Sequence, residues 1–362
     1  MKYNNFLFFL FGLIFLTSCK KDPIDTVSNI NQNGTTPYDF SKYFPSSFPK
    51  MIIPSYNPTT VEGVALGKKL FSDPLLSGNN TQSCASCHQQ NVAFVDSGLR
   101  FSKGSTGAIG PRNTMPIFNL GYAKAFFWDG RSKSLEELVF HPIASKNEMN
   151  QDPILLSTEL SKYPEYSKLY EAAFGSGEIN FDKTAKAIAQ FIRTIVAFTP
   201  KSYDTAYLSD AEKRGLKVFL DDNKGDCFHC HEIGNFMTTF EFSNNGLNEN
   251  PFLDPGLFAI TGNINDLGKF KVPSLINVKY TAPYMHDGRF KTLREVIDFY
   301  DTGFHWDPIK NGSLDANILI HFDKSKGKPK PRLWSEQDKL DIIEYINGLE
   351  DKSLLTNPQF GN

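Results

Sequence analysis

Two short stretches of the sequence, Cys84-Ala85-Ser86-Cys87-His88 and Cys227-Phe228-His229-Cys230-His231, share one spacing. Each has two cysteines separated by two residues, and a histidine directly follows the second cysteine. This spacing is used to attach a c-type haem, in which the thiols bond to the vinyl groups and the histidine binds the iron. The chain is therefore predicted to carry two covalent haems. The attachment cysteines and proximal histidines would be Cys84, Cys87, Cys227, Cys230, His88 and His231.

Two other kinds of site use a pair of cysteines at this spacing. One is a dithiol of the thioredoxin type, and the other is half of a zinc site. Both are less favoured because a histidine follows the second cysteine in both stretches. The two stretches also use four of only five cysteines, and chance does not readily produce this combination twice.

The bulk composition excludes some functions and allows others. With 362 residues, a formal net charge of −2 and 22% charged residues, the chain has no basic field that would point to nucleic acid. Hydrophobic residues make up 40%, which is enough for real cores, and the length favours two domains. The 32 phenylalanines suit a protein that must enclose large flat cofactors.

The N-terminus has the pattern of an export signal. Lys2 precedes an apolar run, residues 6–16, that is too short for an ordinary membrane-spanning helix. The run leads into Leu-Thr-Ser-Cys19, which resembles a bacterial lipoprotein signal, so residues 1–18 would be removed and Cys19 would carry lipid. An ordinary signal peptide with an incidental cysteine is the alternative. Residues 19–50 are interpreted as a tether, which would hold the protein to a membrane in the periplasm.

An internal repeat is visible at an offset of 158 residues. Residues 119–138 align without gaps on residues 277–296, and eight of the twenty positions are identical, including an Asp-Gly-Arg triplet. Similar helix endings, Gly67-Lys-Lys-Leu-Phe71 and Gly215-Leu-Lys-Val-Phe219, precede the two motifs. The predicted fold is therefore mainly α, with two cytochrome c-like domains from an internal duplication and one c-type haem in each.

Hydrophobic periodicity supports a helical fold, and convincing alternating strand patterns are scarce. The predicted helices cover residues 61–71, 134–140, 154–174, 182–198, 210–220, 292–300 and 335–349. The break between the halves lies near residues 199–209. The predicted domains are accordingly an N-terminal haem domain over residues 51–203 and a C-terminal haem domain over residues 204–355.

The repeat also shows where the two haem sites differ. Tyr300 follows His286 by fourteen residues, and at the same offset Pro142 follows Trp128. A tyrosine phenolate can bind ferric haem iron, whereas proline offers no donor. If this position faces the iron opposite the proximal histidine, the second haem is closed and the first is open. A packed aromatic residue is an equally good explanation of Tyr300 from spacing alone. The other candidate ligands are Met285, His286, His305 and His321, of which the last two are more simply interpreted as surface or loop residues.

Two residues of the first half could contribute to catalysis. Glu148 follows Pro142 by six residues, and a carboxylate above an open haem can take a proton from hydrogen peroxide and return it to the departing oxygen. Trp128 occupies the position of His286, and an indole between two haems could carry an electron hole. On sequence alone, a surface glutamate and a structural tryptophan are the commoner explanations.

These residues together resemble the bacterial dihaem cytochrome c peroxidase family, which includes the MauG-like enzymes. The resemblance covers essentially all of the chain from about residue 55 to about residue 350. Besides the two haem motifs, the matching segments are residues 111–113, 127–131, 147–149, 270–278 and 281–288. Together they are highly specific.

The resemblance implies a mainly helical fold and peroxide reduction at the N-terminal haem, with electrons relayed by the C-terminal haem. Glu148 would be the pocket carboxylate, and Trp128 would be the tryptophan between the haems. A calcium ion between the haems is also implied, bound by Asn113 and by the carbonyl groups of Thr281 and Pro283.

Three departures from the family pattern bear on function. No histidine lies between His88 and His141, so the histidine that caps the first iron in ordinary members is missing. Tyr300 replaces the usual methionine ligand of the second haem, and both changes resemble the MauG-like branch. Leu138 stands where the pocket usually has glutamine, which removes one polar group near the peroxide.

The sequence therefore predicts a lipid-tethered haem peroxidase of the periplasm, which reduces hydrogen peroxide with electrons from a small cytochrome or another redox protein. The second hypothesis is a MauG-like oxidase that modifies a protein side chain. The third is a dihaem electron-transfer cytochrome without enzymatic activity.

Overall fold

The computed structural model describes residues 34–42, 48–96, 98–305, 314–323, 325–330, 332 and 334–361. The predicted signal peptide and the lipidation site at Cys19 lie outside these residues. Over the described ranges, no helix combines the length and the apolar character needed to span a membrane.

The described chain is mainly helical, as predicted, and has very little strand. Its α-helices are α1 Val61–Phe71, α2 Cys84–Cys87, α3 Leu135–Ala144, α4 Pro153–Leu160, α5 Pro164–Phe174, α6 Phe181–Thr194, α7 Asp210–Phe219, α8 Phe258–Thr261, α9 Leu293–Asp298, α10 Ala316–Leu319, α11 Glu336–Gly348 and α12 Lys352–Thr356. A π-helical turn, Phe299–Gly303, continues α9. Two antiparallel strand pairs complete it: β1 Phe242–Ser243 with β2 Phe270–Lys271, and β3 Phe322–Asp323 with β4 Lys328–Pro329.

Two prolines account for the main differences from the predicted helices. The helix predicted over residues 154–174 is broken into α4 and α5, because Tyr163 has an extended backbone before Pro164. The helix predicted to end at residue 140 instead continues to Ala144 and contains Pro142. Proline removes one hydrogen bond of a helix, but the packing of α3 on α6 stabilises the helical conformation beyond Pro142.

Two close helix crossings, α1 on α6 and α7 on α11, form the core of the two halves. Each is made possible by a glycine. A Cβ atom added to Gly67 would lie 2.0 Å from the carbonyl oxygen of Ala187, and one added to Gly215 would lie 1.9 Å from that of Asp341. The helix backbones are therefore in direct contact at equivalent positions of the repeat.

An aromatic pair completes each crossing. Phe71 packs on Phe191, and Phe219 packs on Tyr345, with ring centroids 5.3 Å apart in both cases. Since Phe71 and Phe219 end equivalent helices, the duplication inferred from the sequence extends to the packing of the core.

The repeat is also reproduced in the backbone of the Asp-Gly-Arg segments. Asn119 and Asn277 both have left-handed angles, with φ of 61° and 58°. The Asn119 side chain exchanges two hydrogen bonds with the backbone of Ala197, at 2.9 and 3.0 Å. The Asn277 side chain does the same with Asp351, at 3.1 and 2.8 Å. Each segment is thus anchored to the chain that follows the last long helix of its half.

Part of the predicted tether packs against the folded chain. The ring of Phe48 makes edge-on contacts with Tyr122, Phe198 and Phe236, with centroids 5.4 to 5.8 Å apart. The Tyr38 N–H donates to the Thr59 carbonyl at 3.0 Å. These described portions of residues 19–50 therefore belong to the packed structure.

The glycine crossings generate a stability prediction. Gly67→Ala and Gly215→Ala should each lower the free energy of unfolding by about 2 kcal/mol, since overpacking typically costs 1–3 kcal/mol and the gain in helix propensity offsets only part of it. Chemical denaturation of the purified protein measures this. Gly110→Ala is the control, because its added Cβ would meet nothing closer than 3.7 Å. Stability equal to that of Gly110→Ala would contradict the backbone contact.

Candidate functional site

The first haem motif begins on α2, a single helical turn that places its two thiols on one face. The His88 Nδ1 atom lies 2.8 Å from the Phe94 carbonyl oxygen. A carbonyl can only accept, so Nδ1 carries the proton and Nε2 is left to bind a metal. Burial lowers the pKa of His88, opposed by the Phe94 backbone and Asp96, and this favours the neutral ring that a metal ligand requires.

The second motif repeats these relations with one difference. The His231 N–H donates to the Cys227 carbonyl at 2.9 Å, as the His88 N–H does to that of Cys84. Met237 follows His231 by six residues, the spacing of the carbonyl acceptor in the first motif. Burial lowers the pKa of His231 to about 4, opposed by the backbone of Met237. The His231 Nδ1 atom, however, is buried without a well-aligned hydrogen bond.

The four motif cysteines form no disulfide with one another, and their thiols have raised pKa values. Burial raises the pKa to about 12 for Cys84 and Cys227, and to about 11 for Cys87 and Cys230. A reactive dithiol needs a lowered thiol pKa, and a zinc site needs thiolates with further ligands. Among the described residues, the His/Cys/Asp/Glu group close enough to bind a metal contains none of these cysteines. Free thiols beside a neutral histidine fit a c-type haem better than either alternative.

Glu148 lies in the electrostatic environment of the first motif. Its charge raises the pKa of the Cys84 and Cys87 thiols, so the carboxylate lies within electrostatic reach of both. Burial raises the pKa of Glu148 above its ordinary 4.5, opposed by Arg131 and by a hydrogen bond from Ser145. Glu148 is half-buried, so the interpretation as a fully exposed surface residue does not apply.

The backbone on both sides of Glu148 is fixed by hydrogen bonds. The Glu148 N–H donates to the Ser145 carbonyl at 3.0 Å, and its own carbonyl accepts from the Ser105 N–H at 2.7 Å. The next residue, Met149, donates its N–H to the Pro142 carbonyl at 3.0 Å. The position equivalent to Tyr300 therefore anchors the turn that carries Glu148.

Tyr300 lies on the π-helical turn after α9 and is close to the second motif. Burial raises the pKa of Tyr300 to about 12, opposed by a hydrogen bond from Asn245 and reinforced by Cys230 and Cys227. The Asn245 Nδ2 atom donates to the Tyr300 hydroxyl oxygen at 3.0 Å. Single π-turns within helices are frequent at functional sites. The fold thus brings Tyr300 to the motif that the repeat assigns to it.

The other ligand candidates are placed differently. His286 stacks on a phenylalanine ring with centroids 3.6 Å apart. His321 lies in a turn but is buried, with its Nε2 atom 3.0 Å from an aspartate carboxylate, so it is a loop residue and not a surface residue. His305 is exposed. Met285 is the nearest competitor of Tyr300, because its Sδ atom lies 3.8 Å from the same Asn245 nitrogen.

Trp128 lies where segments of the two halves meet. Its indole is buried, and Nε1 donates to the Asn113 carbonyl at 2.8 Å. Its own carbonyl accepts from the Lys271 N–H at 2.9 Å. The Trp128 and His286 rings are edge-on, with centroids 6.4 Å apart. The indole therefore contacts the second half directly.

Asn113, the predicted calcium ligand, is held against the segment that contains the other two. Its N–H donates to the His286 carbonyl at 2.8 Å. Its Nδ2 atom donates to two backbone carbonyls, at 3.2 and 3.1 Å, so Oδ1 is the atom able to bind a cation. Thr281 and Pro283 precede His286 by five and three residues. The calcium site stays a prediction.

Two further residues contact the surroundings of the second motif and were not among the sequence candidates. Asn245 binds Tyr300, and Arg332 binds the Gly225 carbonyl group. Arg332 is buried, and its charge lowers the pKa of Cys227 against the larger effect of burial. Asn245 lies in Ser-Asn-Asn-Gly, and Arg332 follows Lys-Pro-Lys-Pro. Both patterns are typical of loops, so nothing local distinguishes the two residues.

Comparison with known proteins gives related sequences over most of the chain. The sequence pattern of the di-haem cytochrome c peroxidase family matches residues 61–213. The methylamine utilization protein MauG of Methylorubrum extorquens is 34% identical over 320 residues, which cover 84% of this chain and 83% of that protein. The cytochrome-c peroxidase IdrP1 of Pseudomonas sp. strain SCT is 32% identical over 338 residues, which cover 83% of this chain and 84% of that protein.

A solved structure agrees with these relatives. It is the crystal structure of a MauG-like protein associated with microbial copper homeostasis, with a TM-score of 0.77 and 32% identity over 90% of this chain and 99% of that one. Sequence identity above 30% over more than two thirds of the chain shows common membership. This chain therefore belongs to the bacterial dihaem cytochrome c peroxidase/MauG family, whose cofactors are c-type haems, and it is a haem peroxidase of the oxidoreductase class.

Proposed function

We propose that this protein reduces hydrogen peroxide to water at the haem on the first motif, with electrons supplied by way of the haem on the second. One peroxide, two protons and two electrons give two waters. The observation that carries the proposal is the pairing of Glu148 with the first motif and of Tyr300 with the second. When bound, the haem irons supply the redox chemistry of O–O cleavage.

Glu148 is the group that moves the protons. As a carboxylate it accepts a proton from peroxide, and as a carboxylic acid it returns that proton to the departing oxygen. Its raised pKa brings the two forms closer in free energy near neutral pH, and Arg131 and Ser145 keep the charged form accessible. Leu138, half-buried on α3, offers no polar group to share this task.

Trp128 is proposed to conduct electrons between the halves, which its buried contacts with both support. The haem domains are proposed to be residues 51–203, where peroxide reacts, and residues 204–355, which receive electrons.

A calcium ion between the two domains would stabilise the contact of Asn113 with the second half, and metal analysis of the purified protein tests this. The donor is proposed to be a small cytochrome or another periplasmic redox protein.

A lipid at Cys19 is proposed to hold the protein to a membrane facing the periplasm. The support is the sequence pattern at residues 1–18, which ends directly before that cysteine. Mass spectrometry of the mature N-terminal peptide tests it, and an unmodified Cys19 would exclude the anchor.

Glu148→Gln should slow the reaction with peroxide by about 10²- to 10⁴-fold, the usual contribution of a general acid–base group, because glutamine cannot accept the proton. Stopped-flow mixing with peroxide measures the rate, and mass spectrometry checks that both haems are attached. The control is Glu171→Gln, which changes the same group on the exposed face of α5. In the wild type the rate should fall on acidification, with a midpoint above pH 4.5, since protonated Glu148 cannot act as the base. A wild-type rate in Glu148→Gln would remove this residue from the mechanism.

Tyr300→Phe should change the absorption and EPR spectra of the second haem and leave those of the first unchanged, because only the second loses an oxygen donor. The matched control is Tyr280→Phe, a half-buried tyrosine of the same half whose hydroxyl group donates to Glu350. Spectra that stay the same in Tyr300→Phe would assign the ligand elsewhere, with Met285 next in line.

A second candidate function, MauG-like oxidation of a protein side chain, is favoured by Tyr300 beside the second motif and by the lack of histidine between His88 and His141. Steady-state turnover with a reduced cytochrome separates the two: rapid turnover is expected for a peroxidase and would argue against the oxidase. If stoichiometric peroxide leaves the Soret band of the ferric protein unchanged, both enzymatic functions fail and an electron-transfer cytochrome remains.

A further inference from the structure

Arg332 is a buried cation that lacks an anionic partner in the described part of the chain. Its side chain is 4% exposed. One nitrogen, Nη1, donates to the backbone carbonyls of Lys224 and Gly225 at 2.9 and 2.6 Å. The Nε atom is buried and has no hydrogen-bond partner. A buried charge normally requires an ionic partner, because removing it from water is costly.

The carboxylates that act on Arg332 are already engaged. Asp226 accepts hydrogen bonds from His229 at 2.6 Å and from His321 at 3.0 Å. Asp301 forms an ion pair with Lys339 at 2.7 Å. Neither approaches the guanidinium group within 4.0 Å, so the charge is not neutralised by the described side chains.

A second unpaired donor lies beside the first. Trp334 is 9% exposed, and its Nε1 atom is buried without a hydrogen-bond partner. The Arg332 guanidinium carbon lies 5.7 Å from the centroid of the Trp334 ring. Two neighbouring buried N–H donors, one of them charged, are suited to a carboxylate, which accepts from both.

The position of this pair identifies the carboxylate. Arg332 interacts electrostatically with Cys227 and Tyr300, which belong to the second haem site. The Gly225 carbonyl that it binds lies two residues before Cys227. We propose that Arg332 and Trp334 bind a propionate side chain of the haem at the second motif, an inference that rests on the proposed placement of that haem.

In the first half, the positions equivalent to this pair carry other residues. Asp341 and Ala187 are equivalent in the two helix crossings and lie 154 residues apart. At the same offset, Glu178 is equivalent to Arg332, and Glu178 is exposed. The propionate contact is therefore specific to the second haem. There it holds the haem edge and offsets the negative charge that reduction adds.

The test is the midpoint potential of each haem in Arg332→Gln and Trp334→Phe, together with the propionate bending band in the resonance Raman spectrum. Arg332→Gln should lower the potential of the second haem, because loss of the cation disfavours added negative charge, and should shift the propionate band. Trp334→Phe changes no charge, and should shift the same band with a smaller fall in potential. The potential of the first haem should not change in either variant.

Controls separate this contact from a structural role. Lys217→Gln removes an exposed cation of the same half and should behave as wild type. If Arg332→Gln does not retain its haem, Arg332→Lys and Trp334→Phe decide the question. Unchanged potential and propionate band in haem-loaded variants would overturn the inference and limit Arg332 to the carbonyls it binds. Peroxide reactivity of the wild type is scored separately, so failure of the proposed function would leave this comparison intact.

Discussion

Direct contact between helix backbones at Gly67 and Gly215 is the constraint on which the rest of the structure depends. Because no side chain separates the helices, α6 and α11 are fixed against α1 and α7. Ile195, directly after α6, accepts a hydrogen bond from the Asn119 N–H at 2.9 Å. Leu349, directly after α11, accepts one from the Asn277 N–H at 2.8 Å. These asparagines begin the Asp-Gly-Arg segments, and the segments lead into α3 and α9, which precede the turns that carry Glu148 and Tyr300. The positions of Glu148 and Tyr300 are thus set through helix packing.

The two halves use this common framework for different electrostatic surroundings. The first motif has a half-buried carboxylate, Glu148, held by a fixed turn. The second has Tyr300 with an amide donor, Asn245, and a buried cation, Arg332. A proton-accepting group is suited to cleavage of a substrate bond. A phenol that accepts a hydrogen bond is suited to an iron that exchanges electrons without binding substrate. This difference supports the separate tasks proposed for the two sites.

Much of the fold could be predicted from the sequence, because covalent haem attachment and helix periodicity leave local patterns. The helix over residues 61–71 was predicted with the correct first and last residues. The repeat also identified Tyr300 and Pro142 as equivalent positions of the two halves. Packing decided what local rules could not, such as the continuation of α3 through Pro142. Asn245 and Arg332 were missed because their partners are distant in sequence, by 55 residues to Tyr300 and 107 to Gly225. The composition of a loop does not indicate a hydrogen bond to a residue so distant in the sequence.

The contact between Trp128 and His286 follows from the same duplication. These two residues are equivalent by the 158-residue offset, yet their rings lie against each other. Equivalent positions meet in this way when two related units pack about an approximate two-fold axis. Trp128 and His286 therefore mark the boundary at which the two halves meet. At that position the repeat has diverged to tryptophan on one side and to a stacked histidine on the other. One indole therefore lies at the boundary between these equivalent positions, and this is the physical basis of the electron-conducting role proposed for Trp128.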